Sequence, residues 1–132
     1  MLARLGKVAE ELGLPFGDRS HTFNSRRAQE LGKWAEQQCH GKEFQDAVYR
    51  AYFVAGENIA HIKTLKNIAT GIGLDAAAAE RVLIEKSFSE EVDTDWNRAR
   101  SLGITAVPSM IYGDRRLVGF HPYDEFRKLI LN

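Results

Sequence analysis

The residues with chemical reach are few, and their spacing says more than their number. Cys39 is the single cysteine, and His40 follows it directly. A thiol beside an imidazolium can favour the thiolate, which is the chemistry of a redox-sensing group. A lone cysteine at a helix end is more commonly a packed residue, and burial is the expectation for Cys39. One cysteine makes neither an intramolecular disulfide nor a cysteine-based zinc site. His21, His40, His61 and His121 show neither H-x-x-x-H nor H-E-x-x-H spacing, so neither a metal nor a cofactor is expected. The other distinctive stretch is Gly103-Ile104-Thr105-Ala106-Val107-Pro108-Ser109-Met110-Ile111-Tyr112. On residue type alone, Pro108 fits the first position of an edge strand, where its missing N–H does no harm.

These residues hang on a long helical run. Leu2, Leu5, Val8, Ala9 and Leu12 recur at helical spacing, and Gly13 follows as a stop. Residues 14 to 23, with Pro15, Gly17, Asp18 and Ser20, read as loop. Asn24 or Ser25 is placed to cap a second helix with Ala28, Leu31, Trp34 and Ala35 on its inner face, ending near Gly41. A third helix carries Phe44, Ala47, Val48, Ala51 and Tyr52 and fades at Gly56. A fourth carries Ile62, Leu65, Ile68, Ala69 and Ile72, closed by Gly71 and Gly73. Asp75 caps an alanine-rich helix to about Lys86. Ser87 and Glu90 suggest a capping box for a sixth helix that buries Val92, Trp96 and Ala99 and ends at Gly103.

The period then changes. Ser109 to Tyr112 and Arg116 to Gly119 read as two strands joined by Gly113-Asp114-Arg115, a Gly-containing hairpin loop. Arg115 and Arg116 are expected to be solvated charge that discourages aggregation at the hairpin. Pro122 suits the start of a final helix with Tyr123, Phe126, Leu129 and Ile130 inward. A two-stranded hairpin is marginal in water and needs further strands or helix cover.

The chain has 132 residues, with 44% hydrophobic and 27% charged, the profile of one globular domain. Eighteen basic residues balance eighteen acidic ones, so neither nucleic acid nor an anionic membrane is expected as a partner. No stretch approaches the roughly 20 apolar residues of a membrane span. Residues 1 to 7 show no signal-peptide core, so a cytoplasmic location is expected.

The segment from Gly103 to Tyr112 closely resembles the G-[VI]-x-[GA]-V-P-[TS] segment of thioredoxin-fold proteins in the DsbA family. Leu117-Val118-Gly119-Phe120-His121-Pro122-Tyr123-Asp124-Glu125-Phe126 resembles that family's last strand and last helix. Thr22-Phe23-Asn24-Ser25, Ala51-Tyr52-Phe53, Leu65-Lys66-Asn67-Ile68-Ala69 with Gly73-Leu74-Asp75, and Asp93 to Ala99 resemble the helical insertion of its FrnE-type branch. The ordered set covers nearly the whole chain. It implies an α/β, thioredoxin-like fold of DsbA type with a large helical insertion. Residues 1–102 would be the insertion, and residues 103–132 the cis-proline loop, hairpin and last helix of a single incomplete domain.

Family members begin with a strand, a C-x-x-C motif opening a helix, and a second strand. Residues 1 to 20 supply none of these, and Met1 falls just after that second strand. The resemblance therefore implies a deletion, a shortened chain or a split gene. The chain as written would be mostly helical with one hairpin, with no catalytic residue of its own. The family activity is disulfide exchange with protein or small thiol substrates. A substrate's extended backbone pairs with the residue before the cis-proline, which here places substrate binding at Ala106, Val107 and Pro108. Tyr52 and Phe53 resemble part of the family's helical lining, although core packing is the simpler expectation for them. Two alternatives stay open. One is a glutathione-binding relative of kappa-class transferases and 2-hydroxychromene-2-carboxylate isomerases, which share the insertion and the V-P loop and need no C-x-x-C. The other is a non-catalytic module that forms a homodimer through exposed strand edges.

Overall fold

A computed structural model describes residues 1–131. The elements run α1 (Leu2–Glu11), α2 (Arg26–Gln37), α3 (Gly41–Tyr49), a π-helical turn (Arg50–Val54), α4 (Ile62–Gly71), α5 (Ala76–Glu85), α6 (Ser89–Ser101), β1 (Ser109–Tyr112), β2 (Arg115–Val118) and α7 (Tyr123–Leu131). The chain divides into two compact units, Met1–Val92 and Asp93–Asn132. The division lies inside α6.

The first unit is a helical bundle with a closed core. Ala28, Leu31, Trp34 and Ala35 of α2 form one stripe, as their spacing requires. They pack with Phe44 and Val48 of α3, Ala51 of the π turn, Leu65 and Ala69 of α4, and Ala79 and Leu83 of α5. Leu31 and Leu65 are fully out of solvent, and burying such a side chain contributes about 1.5–3 kcal/mol. Small residues at the crossings (Ala35, Ala69 and Ala79, all 0% exposed) let the helices approach closely.

The helix ends follow local chemistry, with three departures from expectation. The Asp75 carboxylate accepts from the Ala78 N–H at 2.6 Å and starts α5. Asn24 Oδ1 accepts from the Arg26 N–H at 2.8 Å, while Ser25 is the capping residue by position. The second helix stops at Gln37, and Gly41 opens the next one. Cys39 at φ 60 takes the left-handed position of the turn, so Cys39 N–H reaches Glu36 O and His40 N–H reaches Ala35 O. That paired closure usually uses glycine. Ser87 does not cap α6. Its N–H returns to Val82 O to finish α5, and Phe88 fills the core before the helix begins at Ser89. Arg26 ties that start down, donating to Ser89 O at 2.8 Å and Ser89 Oγ at 2.9 Å while Nε pairs with buried Glu30 at 2.8 Å.

The second unit begins with the remainder of α6. Ala99 is half-buried, and Trp96, expected inside, is 42% exposed. In the second unit β1 and β2 pair antiparallel with Tyr112 opposite Arg115 and Ser109 opposite Val118. The turn is therefore two residues, Gly113–Asp114, and Arg115 belongs to the strand. Gly113 at φ 61 supplies the left-handed first position that a Gly-first two-residue hairpin turn requires. Helix α7 turns Leu129 inward and Phe126 partly so, whereas Tyr123 and Ile130, also expected inside, are exposed. Leu129 is the one buried side chain of this unit among the described residues. No described helix is long and apolar enough to cross a membrane.

Candidate functional site

The loop leading into β1 is held at both ends by hydrogen bonds. Helix α6 stops at Gly103 (φ 68), with Gly103 N–H bonded to Arg100 O and Ile104 N–H to Ala99 O. Arg116 of β2 then donates to Gly103 O at 3.0 Å and to Leu102 O. A guanidinium on the last carbonyls of a helix satisfies orphan acceptors and meets the negative end of the helix dipole. Arg116 is thus a clamp between β2 and the end of α6, where the sequence suggested solvated charge. Its neighbour Arg115 lies over the Tyr112 ring at 5.5 Å and reaches Lys128 O at 3.4 Å.

At the other end, Gly119 N–H donates to Pro108 O at 2.8 Å, and Ser109 Oγ donates to Ala106 O at 2.6 Å. The Val107–Pro108 peptide bond is cis. Ala106, Val107 and Pro108 are all exposed, Val107 by 89%. Among the described residues, the Val107 main chain enters no intramolecular hydrogen bond. The loop is positioned by its neighbours, yet its central N–H and C=O face solvent.

The same edge continues along β1. In a two-residue hairpin the residues flanking the turn exchange hydrogen bonds, and such pairs then alternate along the ladder. Tyr112, Met110 and Pro108 therefore face β2, in agreement with the Gly119–Pro108 bond. Ser109 and Ile111 turn their polar groups outward. β1 pairs with β2 alone in the described sheet.

The remaining candidates lie elsewhere. Cys39 is exposed in the turn after α2, contrary to the expected burial. His21 and His61 are exposed. His121 holds Val118 O at 2.9 Å and meets Phe126 edge-on at 6.5 Å, so it fastens the start of α7. Among the described residues no three of His, Cys, Asp and Glu gather as a metal site.

Residues 14 to 23, legible only as loop, carry a feature of their own. Phe16, Phe23, Tyr49, Tyr52 and Phe53 form an aromatic cluster around the π turn. The Arg19 guanidinium lies over Tyr52 at 4.1 Å, with Nη1 buried and unpaired by any hydrogen bond. A cavity of about 690 Å³ opens beside it, lined by Leu2, Ala3, Gly6, Phe16 and residues 17–20. Tyr52 and Phe53 are half-buried members of this cluster.

Known proteins resemble this chain in sequence or in fold. The uncharacterized protein YwbO of Bacillus subtilis (strain 168) is 31% identical over 98 residues, which cover 74% of this chain and 49% of that protein. The chain thus spans about half the length of the curated relative it matches. The structure of 2-hydroxychromene-2-carboxylate isomerase superimposes with a TM-score of 0.78 at 22% identity, covering 96% of this chain and 61% of that one. A "putative protein disulfide isomerase" from Nitrosomonas europaea gives 0.66 at 20% identity, covering 97% of this chain and 69% of that one. At these identities the two structures show a shared fold. The sequence model of the DSBA-like thioredoxin domain matches residues 1–131, and the chain belongs to that family.

Proposed function

We propose that the chain is the insertion and substrate-facing part of a DsbA-type thiol–disulfide oxidoreductase of the FrnE branch. Ala106, Val107 and Pro108 bind extended thiol or disulfide substrates through main-chain hydrogen bonds. The observation that carries this reading is the Val107 main chain, exposed and unpaired within a loop fixed at Gly103 and Gly119. An extended peptide pairs with such an edge through its backbone, which tolerates many sequences. Dithiol exchange needs an attacking thiolate and a resolving thiol, and this chain holds only Cys39. By itself it binds but does not exchange.

Two measurements test this. Insulin-disulfide reduction by the chain should run no faster than with the Cys39→Ser variant; a clear excess would overturn the assignment of Cys39 as a bystander. Titration with an extended, thiol-containing peptide should shift the amides of Val107, Ser109 and Ile111. Peptide-induced shifts confined to the first unit would sink the substrate-loop reading.

A second reading has the fold likeness to 2-hydroxychromene-2-carboxylate isomerase behind it. In that reading the same main chain takes glutathione. Micromolar glutathione binding that moves the Val107 amide, with no response to the peptide, would favour it.

A further inference from the structure

We propose that the cavity beside Arg19 binds a small apolar carboxylate, with its carboxyl group on the Arg19 guanidinium and its apolar body against Leu2, Ala3 and Phe16. Backbone contacts place Arg19. Gly17 N–H bonds to Phe53 O at 2.8 Å, and a Cβ on Gly56 would stand 3.3 Å from Asp18 O. Residues 17 and 18 are thus pressed against the chain around the π turn, and residue 19 follows over the aromatic rings. There the guanidinium carbon stands 4.1 Å from the centre of the Tyr52 ring and 5.5 Å from that of Phe53. Turns of the π type recur at functional sites.

The guanidinium has rings beside it but no acidic partner. Nη1 is buried without a hydrogen bond, and no acidic side chain forms an ion pair with Arg19 among the described residues. A buried donor left without an acceptor is costly, and an aromatic face offsets only part of that. Because Tyr52 takes a face of the guanidinium, an anion has to approach in its plane. A carboxylate does so naturally, accepting two parallel N–H bonds from the fork.

The cavity selects the rest of the ligand. Its volume of about 690 Å³ lies in the range of small-molecule sites, which are mostly apolar with a few polar groups. Leu2, Ala3 and Phe16 supply the apolar wall, and Gly6 adds no side chain to fill the space. No lysine or second arginine lines it, and Asp18 stands beside Arg19. One guanidinium therefore balances one negative charge, which fits a monocarboxylate and leaves a doubly charged phosphate short of a cation. Asp18 is exposed, so water and salt screen its repulsion. This inference does not rest on the redox reading, and all the residues it uses lie in the first unit.

NMR titration of the full chain tests it with 4-phenylbutyrate, and with 4-phenylbutyramide as a neutral analogue of the same shape. The acid should bind with a dissociation constant of roughly 1 mM, as a ligand of this size allows. It should shift the backbone amides of Gly6, Gly17 and Arg19. The neutral analogue should bind about tenfold more weakly. Arg19→Gln should bring the acid down to the level of the analogue and leave the analogue's own affinity unchanged, a result that requires an intact cavity. Arg19→Lys, which keeps the charge, should retain part of the preference for the acid. Equal affinities of the wild-type chain for acid and analogue would overturn the proposal, whatever the variants do. So would shifts that leave residues 2–20 untouched, or inorganic phosphate that moves the same amides at lower concentration than the acid.

Discussion

The two units of this molecule hold their shapes by different means. Met1–Val92 closes a core in which Leu31, Ala35, Leu65, Ala69 and Ala79 have no exposed surface. Asp93–Asn132 buries Leu129 alone among its described residues, and no residue of its hairpin is buried. Its geometry is kept by polar fastenings: Arg116 on the end of α6, Gly119 on Pro108, Ser109 on Ala106 and His121 on Val118. Hydrophobic burial scales with area and resists local opening, whereas a few exposed hydrogen bonds each contribute about 0.5–1.5 kcal/mol. The unit with the closed core is therefore not the one that carries the candidate binding edge. Segments that bind tend to come from the less stable end of a structure.

The hardest test of that contrast is Leu65→Ala. Removing a fully buried leucine at the centre of the first unit should cost about 2–5 kcal/mol. Chemical denaturation followed by Trp34 fluorescence reads it. Leu129→Ala, in the second unit, should leave the Trp34 transition nearly unmoved while speeding amide exchange in β2 and α7. Equal losses of the main transition in both variants would show that the units unfold as one body.

A smaller but sharper effect is expected at Gly17. The segment before α2 crosses the π turn so closely that Gly17 N–H bonds to Phe53 O at 2.8 Å. A Cβ on Gly17 would lie 1.9 Å from Val54 O, a backbone atom with no freedom to yield. Gly17→Ala should therefore destabilise the first unit by about 1–3 kcal/mol through overpacking. Gly13→Ala provides the contrast, since nothing lies within 4 Å of its Cβ and only its φ of 66 is strained. A Gly17→Ala loss no greater than that of Gly13→Ala would mean the crossing is looser than described.

How much of this could be read from residue order follows from how local each cause is. The α2 stripe, the Asp75 cap and the Gly103 stop depend on neighbours within one or two turns, and they were legible. The segment from Gly103 to Tyr112 was legible through its resemblance to the DsbA-family segment, since residue type alone pointed only to an edge-strand proline. Gly17 was legible only as a loop residue, since its constraint comes from a π turn more than thirty positions away. The Cys39 turn was missed because a left-handed position is expected of glycine, and Gly41 stood two residues further on. Trp96 and Ile130 had the right periodicity for burial, but periodicity names a face and does not supply a core to cover it. Arg116 read as surface charge because its acceptors, Gly103 O and Leu102 O, are distant in sequence.

Arg116 brings the contrast to the second unit. Arg116→Gln should keep the strand and lose the clamp, at a cost of about 1–2 kcal/mol to the hairpin and the end of α6. Exchange at the Gly103, Ile104 and Gly119 amides should quicken, while the amides of α2 and α4 stay protected. Unchanged exchange at Gly103 and Ile104 would mean that the glycine stop alone holds the helix end.

The smallest expected effect is a pH response at α7, and its sign is fixed. The hydrogen bond from Lys128 Nζ, at 2.8 Å, holds the Glu125 carboxyl below its ordinary range, and the Lys128 charge adds to this. A carboxyl whose folded pKa is lowered favours the folded state above its unfolded pKa and loses that contribution as pH falls through the folded value. The pair is exposed, so screening by salt keeps the effect slight. Protection of the α7 amides should therefore decline on acidification through the carboxylate range, and less steeply in Glu125→Gln. The first unit's amides should not follow, because Glu125 lies outside its core. If Glu125→Gln and the parent chain lost α7 protection identically, the acid response would have to come from another carboxyl, with Asp124 in the same first turn the next to test.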